Sequence, residues 1–455
     1  MSYNSSTDSQ PTTKYVSEKL GFSDMMQIAG EARTRKNGAI SSGAGEYSDL
    51  TTEIKIAIDC KQAGRMSNLH NAYLTLDISN NHADSVWLPG RVGSNAIVSD
   101  MTFDTNTGVP FSKFNNYNVL MGIEICKHVD KVYLDSWGSG MFGMSSVDDG
   151  GLEIPTYVST ASKRTVVIPL SLSNLLRLIP LWGVEQLNIT IKIADPRTVY
   201  IGSDYVAAVV GPPAVAAVPG LAQGDITYSN VRFVYETIDI PKASFDAYVL
   251  AKNNEFTFCG KDWFSTTAQI LADVNDVSVQ IPISRACVSR VIVCLRNTAS
   301  ITTASHNSLG SRNRGYFTES YLQYNGVSIP YLAVKSSSLS VAEQLAELMI
   351  ANGNHLLGIN NSMINEDGAF STPVASAVDA ANTAYGFYEF SLTNTLENND
   401  DTYSGMPIGD STLTLILGKG TNGINGATTP AQTINIFVEY QTKYTLKAGM
   451  WSVNF

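Results

Sequence analysis

A few residue groups have the types and spacing to do chemistry. Gly138-Ser-Gly140-Met-Phe-Gly143 fits the G-x-G-x-x-G pattern that cradles a dinucleotide phosphate. That chemistry needs a strand before the loop and a helix after it. KVYLDSW upstream reads as a strand, but MSSVDDGG downstream is no helix, so the phosphate-binding context is missing. Gly418-Lys-Gly-Thr421 lacks the earlier glycine of a P-loop and reads as a turn. The five histidines (His70, His82, His128, His306, His355) never fall at metal-ligand spacing, and no nucleophile elbow is present. The acidic runs Asp148-Asp149 and Glu397-Asn-Asn-Asp-Asp401 carry oxygen ligands of the kind calcium takes, but they read better as solvated turns. Asn188-Ile-Thr190 and Asn360-Asn-Ser362 match the glycosylation sequon, which matters only in a secreted chain. No catalytic, metal or cofactor set emerges, and the expected cofactor is none.

Composition points the same way. The 455 residues exceed one ordinary core and suit two of roughly 200. The 16% charged content is low, with Ser, Thr, Asn and Gly in its place, which suits strands, polar turns and a surface able to meet other subunits. A net charge of -11 with no basic tract argues against sequence-specific nucleic-acid binding, because phosphate contacts need Lys and Arg. Five cysteines without a C-x-x-C pair read as reduced, mostly buried thiols. The amino terminus shows no secretory pattern, and no run of about 20 apolar residues is present.

The elements that would position any site are mostly strands. Residues 1–47 read as an arm with one amphipathic helix, in which Phe22, Met25, Met26 and Ala29 recur at i, i+3, i+4 and i+7. A first β-rich half follows over 48–240: LTTEIKIAID, LHNAYLTLDIS, VLMGIEICKHVDKVYL, RTVVIPLSL, LNITIKI and ITYSNVRFVYETIDI. A second fills 241–455: NEFTFCG, VSVQIPI, CVSRVIVCLR, YFTESYLQY, GFYEFSLTN, TLTLILG and TINIFVEYQTKYTL. The junction is placed near Pro241. Asn325-Gly326 signals a type I′ hairpin. One long helix is expected after the capping box Ser340-Val-Ala-Glu343, with Val341, Leu345, Leu348 and Met349 on its apolar face.

The two halves echo each other. Ser171-Leu172-Ser173-Asn174-Leu175-Leu176 and Ser391-Leu392-Thr393-Asn394-Thr395-Leu396 each follow an apolar strand and precede a second one, LNITIKI or LTLILG. A last strand then repeats Asn230, Tyr235, Thr237 as Asn435, Tyr440, Thr442. The shared order predicts one antiparallel β-domain used twice.

The segment VIPLSLSNLLRLIPLWGVEQLNITIKI (167–193) resembles the first domain of double jelly-roll major capsid proteins. Those build the shells of icosahedral double-stranded DNA viruses: large nucleocytoplasmic viruses, virophages, polinton-like viruses and tailless phages. The resemblance implies an all-β chain of two tandem eight-stranded antiparallel jelly-roll sandwiches, with short helices in loops and an N-terminal arm. It further implies a virion protein, not an enzyme, that forms a pseudo-hexameric homotrimer and tiles an icosahedral facet. Its partners would be neighbouring capsomers, minor capsid and penton proteins, and an internal membrane. Loops such as Asn81 to Asn118 and Gly202 to Gln223 would form towers or intersubunit contacts. Phe22, Met25 and Met26 of the arm, with the terminal Phe455, are the expected assembly residues. The competing readings are a β-rich spike, adhesin or carbohydrate-binding protein, marked by exposed aromatic platforms, and a hydrolase with paired carboxylates in one cleft.

Overall fold

In a computed structural model of the chain, the described residues are 33–40, 45–48, 53–59, 65–105, 108, 110–146, 151–170, 186–202, 221–239, 246, 250, 255–284, 287–301, 309, 317–335, 342–351, 387–392, 405–409, 412–418, 431–447 and 450–454. The first half contains β1 (Arg33–Ile40), β2 (Glu46–Tyr47), β3 (Glu53–Asp59), β4 (Arg65–Asn80), β5 (Val86–Trp87), β6 (Val98–Thr105), β7 (Pro110–Phe114), β8 (Glu153–Ile154), β9 (Arg164–Pro169), β10 (Gln186–Ile193), β11 (Ile201–Gly202) and β12 (Ile226–Asp239). The second contains β13 (Glu255–Ile270), β14 (Asp276–Ile281), β15 (Val288–Asn297), β16 (Glu319–Tyr324), β17 (Val327–Lys335), β18 (Tyr388–Ser391), β19 (Leu413–Gly418), β20 (Gln432–Lys447) and β21 (Met450–Asn454). Two longer helices, α1 (Tyr117–His128) and α2 (Ala342–Ala351), each follow the fifth main strand of their half.

Each half is a two-sheet antiparallel sandwich. The first pairs β1-β12-β4-β9 and β3-β10-β6-β7; the second pairs β13-β20-β15-β18 and β14-β19-β16-β17. With the eight main strands of each half taken in chain order, both give 1-8-3-6 in one sheet and 2-7-4-5 in the other. That is the jelly-roll arrangement. Among the described residues every strand pair stays within its own half. The echoes in sequence fall on matching strands: β9 and β18 sixth, β10 and β19 seventh, β12 and β20 last. The asparagines of the last-strand frame differ locally, however. Asn230 is exposed at a left-handed bulge (φ 54), whereas Asn435 is buried and accepts from Arg296 Nε at 3.1 Å.

Period-two alternation builds the cores. Ile54, Ile56 and Ile58 of β3 face Leu74, Leu76 and Ile78 of β4 in the first sandwich. Val291, Val293 and Leu295 of β15 join Ile434, Ile436 and Val438 of β20 and Leu413, Leu415 and Leu417 of β19 in the second. The hairpin at Asn325-Gly326 forms as expected, with positive φ at both residues (49 and 79) and Tyr324 opposite Val327.

Several expectations are corrected. VLMGIEICKHV is helix α1, not a strand; Tyr117 to Lys127 are all buried, so no polar face marks the helical period. KVYLDSW is helical as well, part of a run over 131–142 that includes the π-helical Leu134–Gly138. The span from Asn81 to Asn118 is not a loop, since it holds the sandwich strands β6 and β7. Strand β1 lies inside the segment read as an arm, yet it pairs with β12 over its whole length. The amphipathic stretch before it lies outside the described residues.

Candidate functional site at the junction of the two sandwiches

None of the nominated assembly residues bears on the site, because Phe22, Met25, Met26 and Phe455 all lie outside the described residues. The glycine motif is structural. It sits within and at the end of the 131–142 helical run, and Gly143 at φ 64 caps that run in the left-handed conformation. Its glycines therefore close a helix where a phosphate loop would open one. Among the described residues no group of three or more His, Cys, Asp or Glu is arranged to hold a metal.

The concentrated chemistry lies between the sandwiches. The apolar cluster of the first half continues onto the outward face of the sheet β13-β20-β15-β18, through Trp263, Ile292, Cys294, Phe387, Phe437 and Tyr444. The inner strands β15 and β20 of that sheet are buried on both faces, which is why β15 (VSRVIVCLRN) reads as an almost unbroken apolar run. Strand β7 seats its edge on the second sandwich. Ser112 Oγ donates to Asp262 Oδ1 at 2.5 Å, Tyr444 OH donates to the Phe111 carbonyl at 3.2 Å, and Asn116 Nδ2 donates to Thr267 Oγ1 at 3.4 Å. The Phe111 and Tyr444 rings meet at 6.1 Å between centroids.

Beside this contact three carboxylates and three cations converge. Helix α1 supplies Glu124 and Lys127, one turn apart; β13 supplies Lys261, β15 Arg290, β18 Glu389 and β20 Glu439. Lys127 Nζ lies 2.8 Å from Glu389 Oε1 and 3.3 Å from Glu124 Oε1. Arg290 Nη1 reaches Glu389 at 3.2 Å and Glu124 at 3.5 Å, and its Nε donates to Glu439. Lys261 Nζ is 3.4 Å from Glu439, and the Arg290 guanidinium stacks 4.9 Å from the Trp263 ring centre. His128 Nε2 approaches Glu124 Oε2 at 3.2 Å from the solvent side.

Three charges of each sign leave the cluster balanced, which buried ions require. Burial raises the Glu124 carboxyl, but Arg290, Lys127 and the His128 hydrogen bond outweigh it and hold the group well below the usual carboxylate range. Burial likewise opposes ionisation of Glu439, and Arg290 with Lys261 overcomes it, so that carboxyl is also lowered. For Arg290, burial works against the charge while Glu124, Glu439 and Glu389 push its pKa well above the ordinary value. The set holds its charges firmly, each paired with at least one of the opposite sign. Its chemistry is adhesion and orientation.

Sequence reasoning missed this cluster, although it left a trace. Glu124, Lys127 and His128 sit at i, i+3 and i+4, and Arg290, Glu389 and Glu439 are charges set among apolar residues of their strands. Helical spacing within a run taken for a strand was the available signal.

No protein-family model matches this sequence, and no curated protein matches it. Solved structures do match in fold. The PBCV-1 virus capsid aligns with a TM-score of 0.59 at 10% identity, over 93% of this chain and 97% of that one. The capsid chain of the Sputnik virophage aligns at 0.54 and 9% identity, over 94% and 89%. The Faustovirus major capsid protein aligns at 0.54 and 8% identity, over 90% of each. Across nearly its whole length, the chain has the tandem double jelly-roll fold of these capsid proteins.

Proposed function

We propose that this chain is the major capsid subunit of an icosahedral double-stranded DNA virus, a structural component of the virion and not a catalyst. The observation that carries this reading is the repeated strand order combined with a head-to-tail seat. One sandwich docks through its β7 edge and α1 on a different surface, the β13 edge and outer sheet face, of the next. Such a heterologous contact, repeated by a closing rotation, generates a ring. Two sandwiches per chain and three chains give a six-part tile, the pseudo-hexameric homotrimer that would pack against neighbouring capsomers. The fold likeness to the PBCV-1, Sputnik and Faustovirus capsid chains supports the same role.

The organisation we assign is an arm, a first jelly roll ending near residue 240 and a second running to 455, with the place of β1 in its sheet shortening the arm to 1–32. Phe22, Met25 and Met26 in that arm, with Phe455 at the other end, would contact neighbours, minor capsid or penton proteins, or an internal membrane. The test is the mass of the purified full chain by sedimentation equilibrium, together with negative-stain images. Three chain masses and hexagonal outlines are expected. A monomer at every concentration, or sugar binding by a single chain, overturns the assignment.

A further inference from the structure

The last strands of the two sandwiches, β12 and β20, are bordered differently. In the first sandwich the third main strand, β4, stays beside β12 to its end, where Arg65 stands opposite Asp239. In the second the third main strand is shorter, since β15 has 10 residues against the 16 of β4. It starts at Val288, opposite Tyr440, and the residue before it adds one bond, from Gln441 N–H to the Cys287 carbonyl at 2.9 Å. Beyond that point the place beside β20 is taken by a separate strand. β21 pairs with Lys443–Lys447, from Lys447 opposite Met450 to Lys443 opposite Asn454. On its other side β21 has no strand among the described residues, and Ser452 is exposed. The stretch that β21 borders includes a contact of the joint. Tyr444 stands between Phe258 of β13 and Val453 of β21, is 1% exposed, and donates through its OH to the Phe111 carbonyl of β7. Burial, with Asp262 and Tyr440 nearby, holds the Tyr444 phenol well above its ordinary pKa, so it stays a donor.

We propose that β21 is a detachable latch on the joint between the sandwiches: seated, it holds Tyr444 against Phe111, and released, it frees that contact while both sandwiches stay folded. Seated, β21 is the third strand beside β13 and β20 over Lys443–Lys447. Without it Tyr444 rides on a two-stranded ribbon, which is marginal in water. The latch can open by itself because it hangs on a single neighbour, and local opening is cheapest at fraying margins and dearest in central strands. The first sandwich has no such freedom. There the same place is filled by the first residues of β4, whose later residues lie between β12 and β9. The ion cluster draws on α1, β13, β15, β18 and β20 and takes no residue from β21, so it keeps the sandwiches together while the Tyr444 contact opens. This inference goes beyond the capsid reading and does not depend on how copies associate.

The experiment labels a thiol placed in the joint of the full-length chain. Ser112→Cys puts one beside Phe111 at a position 4% exposed, and the buried Cys126 and Cys294 report any wider unfolding. Ser452 supplies the perturbation. Lys447 and Met450 close a two-residue turn, and in such a ladder every second pair exchanges both backbone bonds, so Thr445 and Ser452 form one of these pairs. Ser452→Pro removes that N–H, whereas Ser452→Ala keeps it. Hydrogen exchange at Lys443, Thr445 and Lys447 should show β21 released in the proline variant alone. The introduced thiol should then react roughly tenfold faster or more, the effect of losing one hydrogen bond and one ring contact, with Cys126 and Cys294 unchanged. Tyr444→Phe gives a second measurement that leaves Ser112 in place. It should lower the melting temperature by about 2 °C in the Ser452→Ala chain and by nothing further in the Ser452→Pro chain. An introduced thiol that reacts equally in both variants after β21 has left, or equal Tyr444→Phe shifts, shows a strand without hold on the joint and overturns the proposal. A rise at Cys126 and Cys294 as well marks the unfolding of a sandwich and overturns it too. So does a proline variant in which β21 stays bound.

Discussion

Replacing Lys127 with Met tests whether the junction is held by its charge balance. The Lys127 side chain is fully buried, 2.8 Å from Glu389 and 3.3 Å from Glu124. Met keeps the aliphatic stem and removes the charge, leaving three carboxylates facing Arg290 and Lys261. Breaking a buried pair by deleting one partner costs roughly 3–5 kcal/mol, mostly because the orphaned charge stays buried. With an unfolding entropy of about 2.1 cal/mol/K per residue and a cooperative unit of roughly 200 residues, that loss lowers the melting temperature by about 7–12 °C. Tryptophan fluorescence during the melt is a suitable readout, because Trp263 lies against Arg290. The double variant Lys127→Met/Glu389→Gln returns the cluster to two charges of each sign. It should recover a large part of the loss, with a coupling of at least about 1 kcal/mol. A single variant melting within about 1 °C of the wild type, or a double variant whose loss equals the sum of the singles, would refute this account.

The same cluster sets an acid limit. Glu124 and Glu439 have folded-state pKa values below their ordinary 4.5, so the stability they contribute is complete above that value and is lost as pH falls through the folded values. Melting temperature should stay level from about pH 7 to 5 and drop below about 4.5, with Glu124→Gln flattening the drop; a decline already under way between about pH 7 and 6 would contradict it. Gly151→Ala should destabilise the first sandwich by roughly 1–3 kcal/mol in urea unfolding. A Cβ there would stand 2.1 Å from the Leu88 carbonyl oxygen, in a staple where Leu88 N–H donates to Leu152 and Leu152 N–H donates to Gly143, so the backbone has no room to yield. An unchanged midpoint would show that the staple relaxes.

Strand chemistry made the duplicated plan readable before any coordinates. Ser171 comes just after β9 in sequence and Ser391 ends the matching strand β18, and LNITIKI and LTLILG hold the same place in their sheets, because an alternating strand advertises its buried face two residues at a time. The junction was hidden for the complementary reason. Where an element is covered on every side, as α1 is from Tyr117 to Lys127, contrast between faces vanishes, and a helix rich in Val and Ile looks like a strand. Strands β6 and β7 were lost within a span rich in Gly, Asn and Asp. The ion cluster draws on five elements up to hundreds of residues apart, and only the sheet order β20-β15-β18 brings Glu439, Arg290 and Glu389 side by side.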